Sequence, residues 1–186
     1  ALGMPRSATR PQMAEKCLEM EEHRVPPTII SKKDAPVKEN TMTGKDVDLY
    51  QIPIMRHHEM DGGPYIVLST ITKDRKSGIY NLSYHRMEVK SKNSTALYAS
   101  PRHLWKIFKD YEENNLEMPV ATVLGHHPAF HMGACYSGPF EVSEYDVIGG
   151  YLGEPLRLVA SETFGDDLLI PADAEIVIEG VLKPGG

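Results

Sequence analysis

Apolar and polar residues alternate over several short stretches of the chain, and this pattern predicts strands. Residues 65–72 are rich in β-branched side chains, and residues 79–89 repeat the pattern after a polar turn at 73–78. Two such runs joined by a short polar turn are typical of a β-hairpin. Further strands are predicted at residues 119–124, 156–160, 168–170 and 175–182.

Helical signals lie between these runs. Residues 11–22 are rich in helix formers and predict a first helix. Ser100 before Pro101 combines a capping hydroxyl with proline at the first helical position, which predicts the start of a second helix. The buried stripe of that helix is predicted at Leu104, Ile107, Phe108 and Tyr111. Two short helices are predicted at residues 128–135 and 142–151.

The order of these elements favours an α+β fold. Strands outnumber helices and do not alternate strictly with them, so we expect a mainly antiparallel sheet or barrel rather than a doubly wound parallel sheet. Neither G-x-G-x-x-G nor G-x-x-x-x-G-K-[ST] occurs in the sequence. The common phosphate-binding loops are therefore not the source of any nucleotide site in this chain.

Length and charge exclude some classes of function. The sequence has 186 residues, enough for one domain, and a formal net charge of -6. That charge argues against nucleic acid as a partner, because phosphate binding requires clustered Lys and Arg. No apolar run approaches the roughly 18 residues of a membrane span. The first ten residues lack the apolar core of a secretory signal, so a cytoplasmic location is expected.

The cysteines and the chain ends add two expectations. Cys17 and Cys135 are the only cysteines and no C-x-x-C pair is present, so we expect a reduced pair, with a single long-range disulfide as the alternative. The sequence opens on Ala1, and the strand predicted at 175–182 runs directly into Pro-Gly-Gly. We expect an excised domain, with a natural end as the alternative.

Four groups of short motifs between residues 45 and 186 occur in a characteristic order. They are Asp61–Tyr65 with Asn81–Arg86, Met118–Ala121 with Gly125 and Pro128-Ala129, Ser143-Glu144 with Gly149–Gly153, and Ile170–Gly180. Each motif is weak alone. In their order and spacing they resemble the UbiD family, whose decarboxylases use prenylated flavin mononucleotide (prenylated FMN).

The resemblance implies a domain organisation. Residues 46–186 resemble the family's prenylated-FMN-binding domain, a split β-barrel-like fold with flanking helices, and residues 1–45 would be an N-terminal helical and linker segment. The family's C-terminal domain is expected to be absent, and with it much of the contact of a homo-oligomer. The family's acid/base glutamates belong to a segment expected beyond Gly186, and Glu175 and Glu179 do not take their place.

The resemblance also implies a metal site. In the family a divalent cation, Mn2+ or Mg2+, bridges the cofactor phosphate and the protein, and its ligands match Asn81, His103 and Glu144. Amide oxygen, imidazole nitrogen and carboxylate oxygen suit such a cation. A K+ ion near the site is implied as well. Taken alone, each residue has an ordinary alternative role, such as local hydrogen bonding, packing or stabilisation of a helix N-terminus.

Arg86 is the predicted catalytic residue. The matching family arginine faces the flavin and the substrate carboxylate, and a guanidinium holds a carboxylate with two parallel hydrogen bonds. Because Asn81 and Arg86 are five residues apart, a regular strand directs them to opposite faces. Both reach one cofactor only if the strand bulges or the cofactor wraps its edge. The implied cofactor contacts are Ser83, Tyr84, His85, Arg86, Arg102 and His103.

A second histidine group does not predict a metal site. His127 and His131 have the i, i+4 spacing of helical metal ligands, but Pro128 starts or breaks a helix between them and no H-E-x-x-H pattern is present. His57 and His58 are interpreted as loop residues.

The resemblance implies a non-oxidative (de)carboxylase of aromatic or α,β-unsaturated carboxylic acids, with a flavin prenyltransferase as supplier of the cofactor. A cofactor is needed because the carbanion left by such acids is poorly delocalised. The substrate itself stays open. The alternatives are a plain flavin reductase or oxidase, a non-catalytic flavin-binding or assembly subunit, and a metal hydrolase built on the histidine pairs.

Overall fold

The computed structural model describes residues 2–185 as a mixed α+β fold, which confirms the predicted class. The strands are β1 (Thr28–Ile29), β2 (Tyr65–Lys73), β3 (Tyr80–Ser91), β4 (Ser94–Leu97), β5 (Met118–Leu124), β6 (Arg157–Ser161), β7 (Gly165–Pro171) and β8 (Ile176–Leu182). The α-helices are α1 (Arg10–Glu22), α2 (His103–Glu113), α3 (Pro128–Gly133) and α4 (Glu144–Leu152).

Five strands form one antiparallel sheet that curls into half of a barrel, in the order β4-β3-β2-β5-β8. The β2–β3 hairpin is its centre, and the pairing runs without interruption from Tyr65 opposite Glu88 to Lys73 opposite Tyr80. A smaller sheet has the order β1-β6-β7, with β1 parallel to β6. The predicted antiparallel architecture is therefore observed, together with one short parallel pair.

The two faces of the large sheet are buried against different elements. On one face Ile71 and Leu82 pack into the main core with Tyr145 and Ile148 of α4. On the other face Val120 packs with the apolar stripe of α2, and a separate cluster surrounds Met87. Because side chains alternate along a strand, the even-numbered residues of β3 are on the face of Leu82 and the odd-numbered residues are on the face of Met87.

The N-terminal segment packs directly on α4. Val25 N donates to Asp146 O at 3.0 Å, and the hydroxyl of Tyr151 donates to Glu21 at 2.7 Å. The chain approaches so closely that a Cβ on Gly149 would lie 2.1 Å from the Val25 carbonyl oxygen. These contacts cross the predicted boundary at residue 45. That boundary itself stays a prediction.

Alanine at Gly149 is expected to destabilise the protein. The added Cβ meets backbone rather than a flexible side chain, so the N-terminal segment must move away, and overpacking of this kind costs about 1–3 kcal/mol. Urea unfolding of Gly149→Ala measures the loss. Gly180→Ala is the matched control, because nothing lies within 4 Å of a Cβ there, and we expect a change within about 0.5 kcal/mol. Equal unfolding midpoints for both variants would contradict the close packing.

Some local predictions were wrong. Helix α2 begins at His103 rather than after Ser100, because Arg102 is extended, with φ -126° and ψ -157°, and acts as the N-cap. The four-residue strand β4 was missed, since its pattern is too short to stand out. The linker part of the predicted N-terminal segment contains the 3-10 turns Lys32–Asp34, Pro36–Lys38 and Gly44–Asp46. Nowhere in residues 2–185 does a helix combine the length and hydropathy that a membrane crossing requires.

Candidate functional site

Asn81 and Glu144 are brought into direct contact although they are 63 residues apart in the sequence. Asn81 Nδ2 donates to Glu144 Oε1 at 3.1 Å, and the backbone N–H of Leu82 donates to Glu144 Oε2 at 2.9 Å. Asn81 lies on β3 and Glu144 is the first residue of α4, so packing of α4 on the sheet makes the pair. The amide nitrogen of Asn81 faces Glu144, and its amide oxygen lies 3.4 Å from the Ser83 hydroxyl, which leaves one of its two lone pairs for a ligand.

The Glu144 carboxyl is buried, with 3% of its surface exposed. Burial raises its pKa from 4.5 to about 7, and the hydrogen bonds from Leu82, its own backbone N–H and Asn81 act in the opposite direction. The N-terminus of α4, capped by the hydroxyl of Ser143, favours the ionised form. Because burial makes this carboxyl costly to ionise, a bound cation would stabilise its ionised form.

His103 stands at the start of α2, half buried, with its ring edge-to-face against Phe140 at 5.3 Å between centroids. Phe140 lies four residues before Glu144, so this contact places the beginnings of α2 and α4 near each other. Within residues 2–185 no hydrogen bond joins His103 to Asn81 or Glu144. Nor do three His, Cys, Asp or Glu side chains of this part form a metal-binding group. The predicted trio has only two such side chains, because its third member is an amide.

Ser83 and His85 lie on the Asn81 face of β3 and form one hydrogen-bonded chain. His85 Nδ1 lies 3.2 Å from the carbonyl oxygen of Tyr98, which can only accept, so Nδ1 carries the proton. Nε2 therefore accepts from the Ser83 hydroxyl at 2.8 Å. Burial lowers the pKa of His85, while the bond to Tyr98 raises it. Both ring nitrogens are thus used in a neutral histidine that fixes β3 to the residues after β4.

Arg86 points to the opposite face from Asn81. The unbroken β2–β3 register leaves no bulge between them, so one cofactor reaches both only at the edge of the strand. The guanidinium carbon of Arg86 lies 5.3 Å from the ring centre of Tyr98. Such a cation–π contact holds the exposed guanidinium near that edge. Tyr98 was missed in the sequence because it follows the unpredicted strand β4.

The edge of β3 that carries these residues is open over part of its length. Strand β4 pairs only with residues 87–91, and within the described part of the chain no strand pairs with this edge nearer the Glu144 contact. Leu82 N donates to Glu144 and Arg86 O accepts from Tyr98 N, so both backbones face this edge. Tyr84 lies midway between Leu82 and Arg86, so in an antiparallel strand its N–H and C=O face the same edge as theirs. The backbone of Tyr84 therefore presents a hydrogen-bond donor and an acceptor at this edge.

The remaining predicted contacts lie around this edge. The Tyr84 side chain is 38% exposed, and its ring lies 6.3 Å from that of His131. Arg102 is exposed at the N-cap of α2, beside His103. The structure therefore gathers Asn81, Ser83, His85 and Glu144 in one hydrogen-bonded group. Tyr84 and Arg86 lie on the other face, and Arg102 and His103 approach on α2.

The histidines His126 and His127, which follow β5, use their Nδ1 atoms in backbone hydrogen bonds. His126 Nδ1 accepts from the His127 backbone N–H at 2.8 Å, and His127 Nδ1 accepts from Ala129 N at 3.2 Å. In their neutral forms both rings then carry their proton on Nε2, the atom that a metal would need bare. Burial lowers the pKa of His126 to about 4.

Comparison with known proteins supports the family resemblance. The family model "3-octaprenyl-4-hydroxybenzoate carboxy-lyase Rift-related domain" of UbiD matches residues 28–186. Anhydromevalonate phosphate decarboxylase from Methanothermobacter thermautotrophicus is 32% identical over 88% of this chain and 40% of that protein. Phenolic acid decarboxylase from Bacillus subtilis is 32% identical over 99% of this chain and 40% of that protein.

Solved structures agree as well. The UbiD-class enzyme HmfF from Pelotomaculum thermopropionicum in complex with FMN has a TM-score of 0.90 and 36% identity, over 96% of this chain and 40% of that one. An evolved dimeric form of HmfF in complex with prFMN has a TM-score of 0.88. This chain spans about 40% of the length of these relatives. Since the family model covers most of the sequence and the fold agrees with a solved member, the chain belongs to the UbiD family.

Proposed function

We propose that this chain is the cofactor-binding part of a non-oxidative decarboxylase of aromatic or α,β-unsaturated carboxylic acids that uses prenylated FMN. The observation that carries the proposal is the buried pair of Asn81 and Glu144 at the open edge of β3. Support also comes from the decarboxylases among its relatives and from the HmfF complexes with FMN and prFMN.

The residues at this edge fit a flavin phosphate held through a divalent cation. Asn81 supplies an amide oxygen, Glu144 a carboxylate and His103 an imidazole nitrogen, and this mixture suits Mn2+ or Mg2+. Because the sequence has no phosphate-binding loop, a cation is the simplest source of positive charge for a phosphate here. A K+ ion held by backbone carbonyls near the phosphate is part of the proposal.

The flavin ring is proposed to lie along the open edge between Leu82 and Arg86. The backbone of Tyr84 faces this edge and is able to hydrogen-bond the polar rim of the ring. Prenylated FMN, when bound, supplies the electron-accepting group that decarboxylation of an sp2 carbon requires. Arg86 binds and orients the substrate carboxylate with its guanidinium fork, on the side that Tyr98 supports.

Neither Glu175, just before β8, nor Glu179, within β8, is proposed as the catalytic acid. Glu179 accepts hydrogen bonds from the backbone N–H groups of Glu162 and Thr163, and its carboxylate lies 4.0 Å from Lys38.

The cofactor is proposed to come from a flavin prenyltransferase. The complete protein is proposed to be a cytoplasmic homo-oligomer.

The metal affinity is expected to depend on pH through Glu144. In the metal-free protein the carboxyl holds a proton up to about pH 7, so the cation must displace it. Mn2+ affinity should therefore rise up to about tenfold per pH unit below pH 7 and then level off. The stability of the metal-free protein is expected to change with pH in the opposite direction to the Mn2+ affinity. The folded state binds the extra proton, so stability falls as pH rises from 4.5 to about 7.

Titration calorimetry with Mn2+ between pH 5.5 and 8, with and without FMN, tests this function. Tighter FMN binding in the presence of Mn2+ supports the bridged phosphate. Glu144→Gln should lose the part of the pH dependence that Glu144 supplies. FMN affinity that is the same with and without Mn2+ would favour a plain flavin site over the proposed one.

A further inference from the structure

The hydroxyl of Ser83 lies between two hydrogen-bond acceptors of the candidate site. Its oxygen is 2.8 Å from Nε2 of His85 and 3.4 Å from the amide oxygen of Asn81. The three side chains occupy alternate positions of β3 and so share one face of the sheet. Because a hydroxyl has a single hydrogen, Ser83 donates to only one of these acceptors at a time. The position of the proton on His85 therefore decides whether Asn81 receives that hydrogen bond.

The tautomer of His85 turns the hydroxyl away from Asn81. The carbonyl oxygen of Tyr98, 3.2 Å from Nδ1 of His85, only accepts hydrogen bonds, so Nδ1 carries the ring proton and Nε2 is bare. Bare Nε2 accepts the Ser83 hydrogen at the shorter of the two distances. His85 is 8% exposed, and burial lowers its pKa, which favours this neutral form. The carbonyl of Tyr98 thus acts on Asn81 through two side chains.

We propose that His85 is a positioning residue for the metal site: by accepting the Ser83 hydroxyl it keeps that hydrogen off the amide oxygen of Asn81, which stays open to the divalent cation. An amide oxygen that accepts a hydrogen bond has one lone pair fewer for a metal, and residues behind a ligand commonly change metal affinity. Ser83 and His85 act here through Asn81 rather than by touching the cofactor. The inference rests on the proposed function, because it requires Asn81 to be a ligand.

Mn2+ titration of the flavin-free protein tests this role at pH 8, where the Glu144 carboxyl, whose pKa is about 7, is mostly ionised. His85→Leu removes the acceptor, so the Ser83 hydroxyl turns to Asn81, and the affinity for Mn2+ should fall roughly tenfold. Adding Ser83→Ala to His85→Leu should restore the affinity to within about twofold of the wild type, because no hydroxyl is left to compete. A merely structural loss at His85 would not be cancelled by removing a second polar group.

Ser69→Ala is the matched control for this rescue. Ser69 is a buried serine of the neighbouring strand β2, and it lies on the opposite face of the sheet, because Thr70 is the residue directly opposite Ser83 in the register. Combined with His85→Leu, this change should leave the loss of Mn2+ affinity in place. Equal rescue by Ser69→Ala would overturn the inference, as would a folded His85→Leu variant that binds Mn2+ as tightly as the wild type.

The tautomer of His85 is measurable in the wild-type protein, so the test does not depend on how well a variant folds. Nitrogen-15 NMR of the metal-free chain at pH 8 should show a protonated Nδ1 and a bare Nε2. A protonated Nε2 would overturn the inference, since the Ser83 hydroxyl would then be free to donate to Asn81. A wild-type chain that binds no Mn2+ would overturn the proposed metal site and this inference together, whereas Mn2+ binding that is insensitive to His85→Leu overturns only the inference.

Discussion

Replacing Glu144 with glutamine is expected to lower the affinity for Mn2+ by at least about 100-fold and to remove Mn2+-dependent flavin binding. Mutating a residue that hydrogen-bonds to a metal ligand already lowers metal affinity about 10–100-fold, and removing a carboxylate ligand itself should lower it at least as much. Since burial keeps the Glu144 carboxyl protonated up to about pH 7, the neutral amide closely imitates the metal-free state. The variant should therefore fold, and metal binding should be the property that is lost.

Glu141→Gln is the control for this experiment. Glu141 is exposed and lies three residues before Glu144, so the variant removes the same charge from the same segment without touching the buried pair. Mn2+ titration and flavin fluorescence should then be those of the wild type. If Glu144→Gln folds and binds Mn2+ and FMN as the wild type does, Glu144 is no ligand, and the metal site proposed here is wrong.

The second large effect is expected at Arg86. Replacing it with leucine should lower the rate of decarboxylation by roughly 10²- to 10³-fold, because the substrate carboxylate loses its charged partner. Cofactor content should be retained, since the Asn81 side chain lies on the other face of β3 and Glu144 bonds to Asn81 and Leu82 rather than to Arg86. Arg86→Lys separates charge from shape. If the fork is what orients the carboxylate, lysine should restore only a minor part of the rate.

Lys90→Leu provides the comparison for Arg86. Lys90 lies on the same strand, is exposed, and forms an ion pair with Glu88 at 2.7 Å. Its loss should leave the rate of carbon dioxide release unchanged. Equal rates for wild type and Arg86→Leu would remove Arg86 from the catalytic role. A loss of bound cofactor in that variant would instead make Arg86 a binding residue.

The sequence predicted the elements of this fold better than their ends. The hairpin of β2 and β3 and the strand β5 were predicted closely, because strong alternation and a polar turn leave little choice at that level. The start of α2 was misplaced, since the extended conformation of Arg102 is decided by tertiary packing and not by the Ser-Pro signal. Short β4 offered no pattern, and with it Tyr98 was missed.

The candidate site, like the fold, was predicted only in part from the sequence. The family resemblance gave Asn81, His103 and Glu144 as one set of ligands. The fold brings Asn81 Nδ2 to 3.1 Å from Glu144 Oε1, and among the described residues no hydrogen bond joins His103 to either of them. Spacing along β3 showed that Arg86 faces away from Asn81, and the unbroken register leaves the strand edge as their only meeting place. The edge of β3 that β4 leaves unpaired was beyond sequence reasoning, because it depends on which strand neighbours which.

Absorbance and metal content of the purified chain, after co-expression with a flavin prenyltransferase, test the central claim most directly. We predict the spectrum of a modified flavin together with near-stoichiometric Mn2+, both lost in Glu144→Ala and in His103→Ala but kept in Glu141→Gln. A folded protein that is colourless and free of metal under these conditions would contradict the claim that this chain binds prenylated FMN through Asn81, His103 and Glu144.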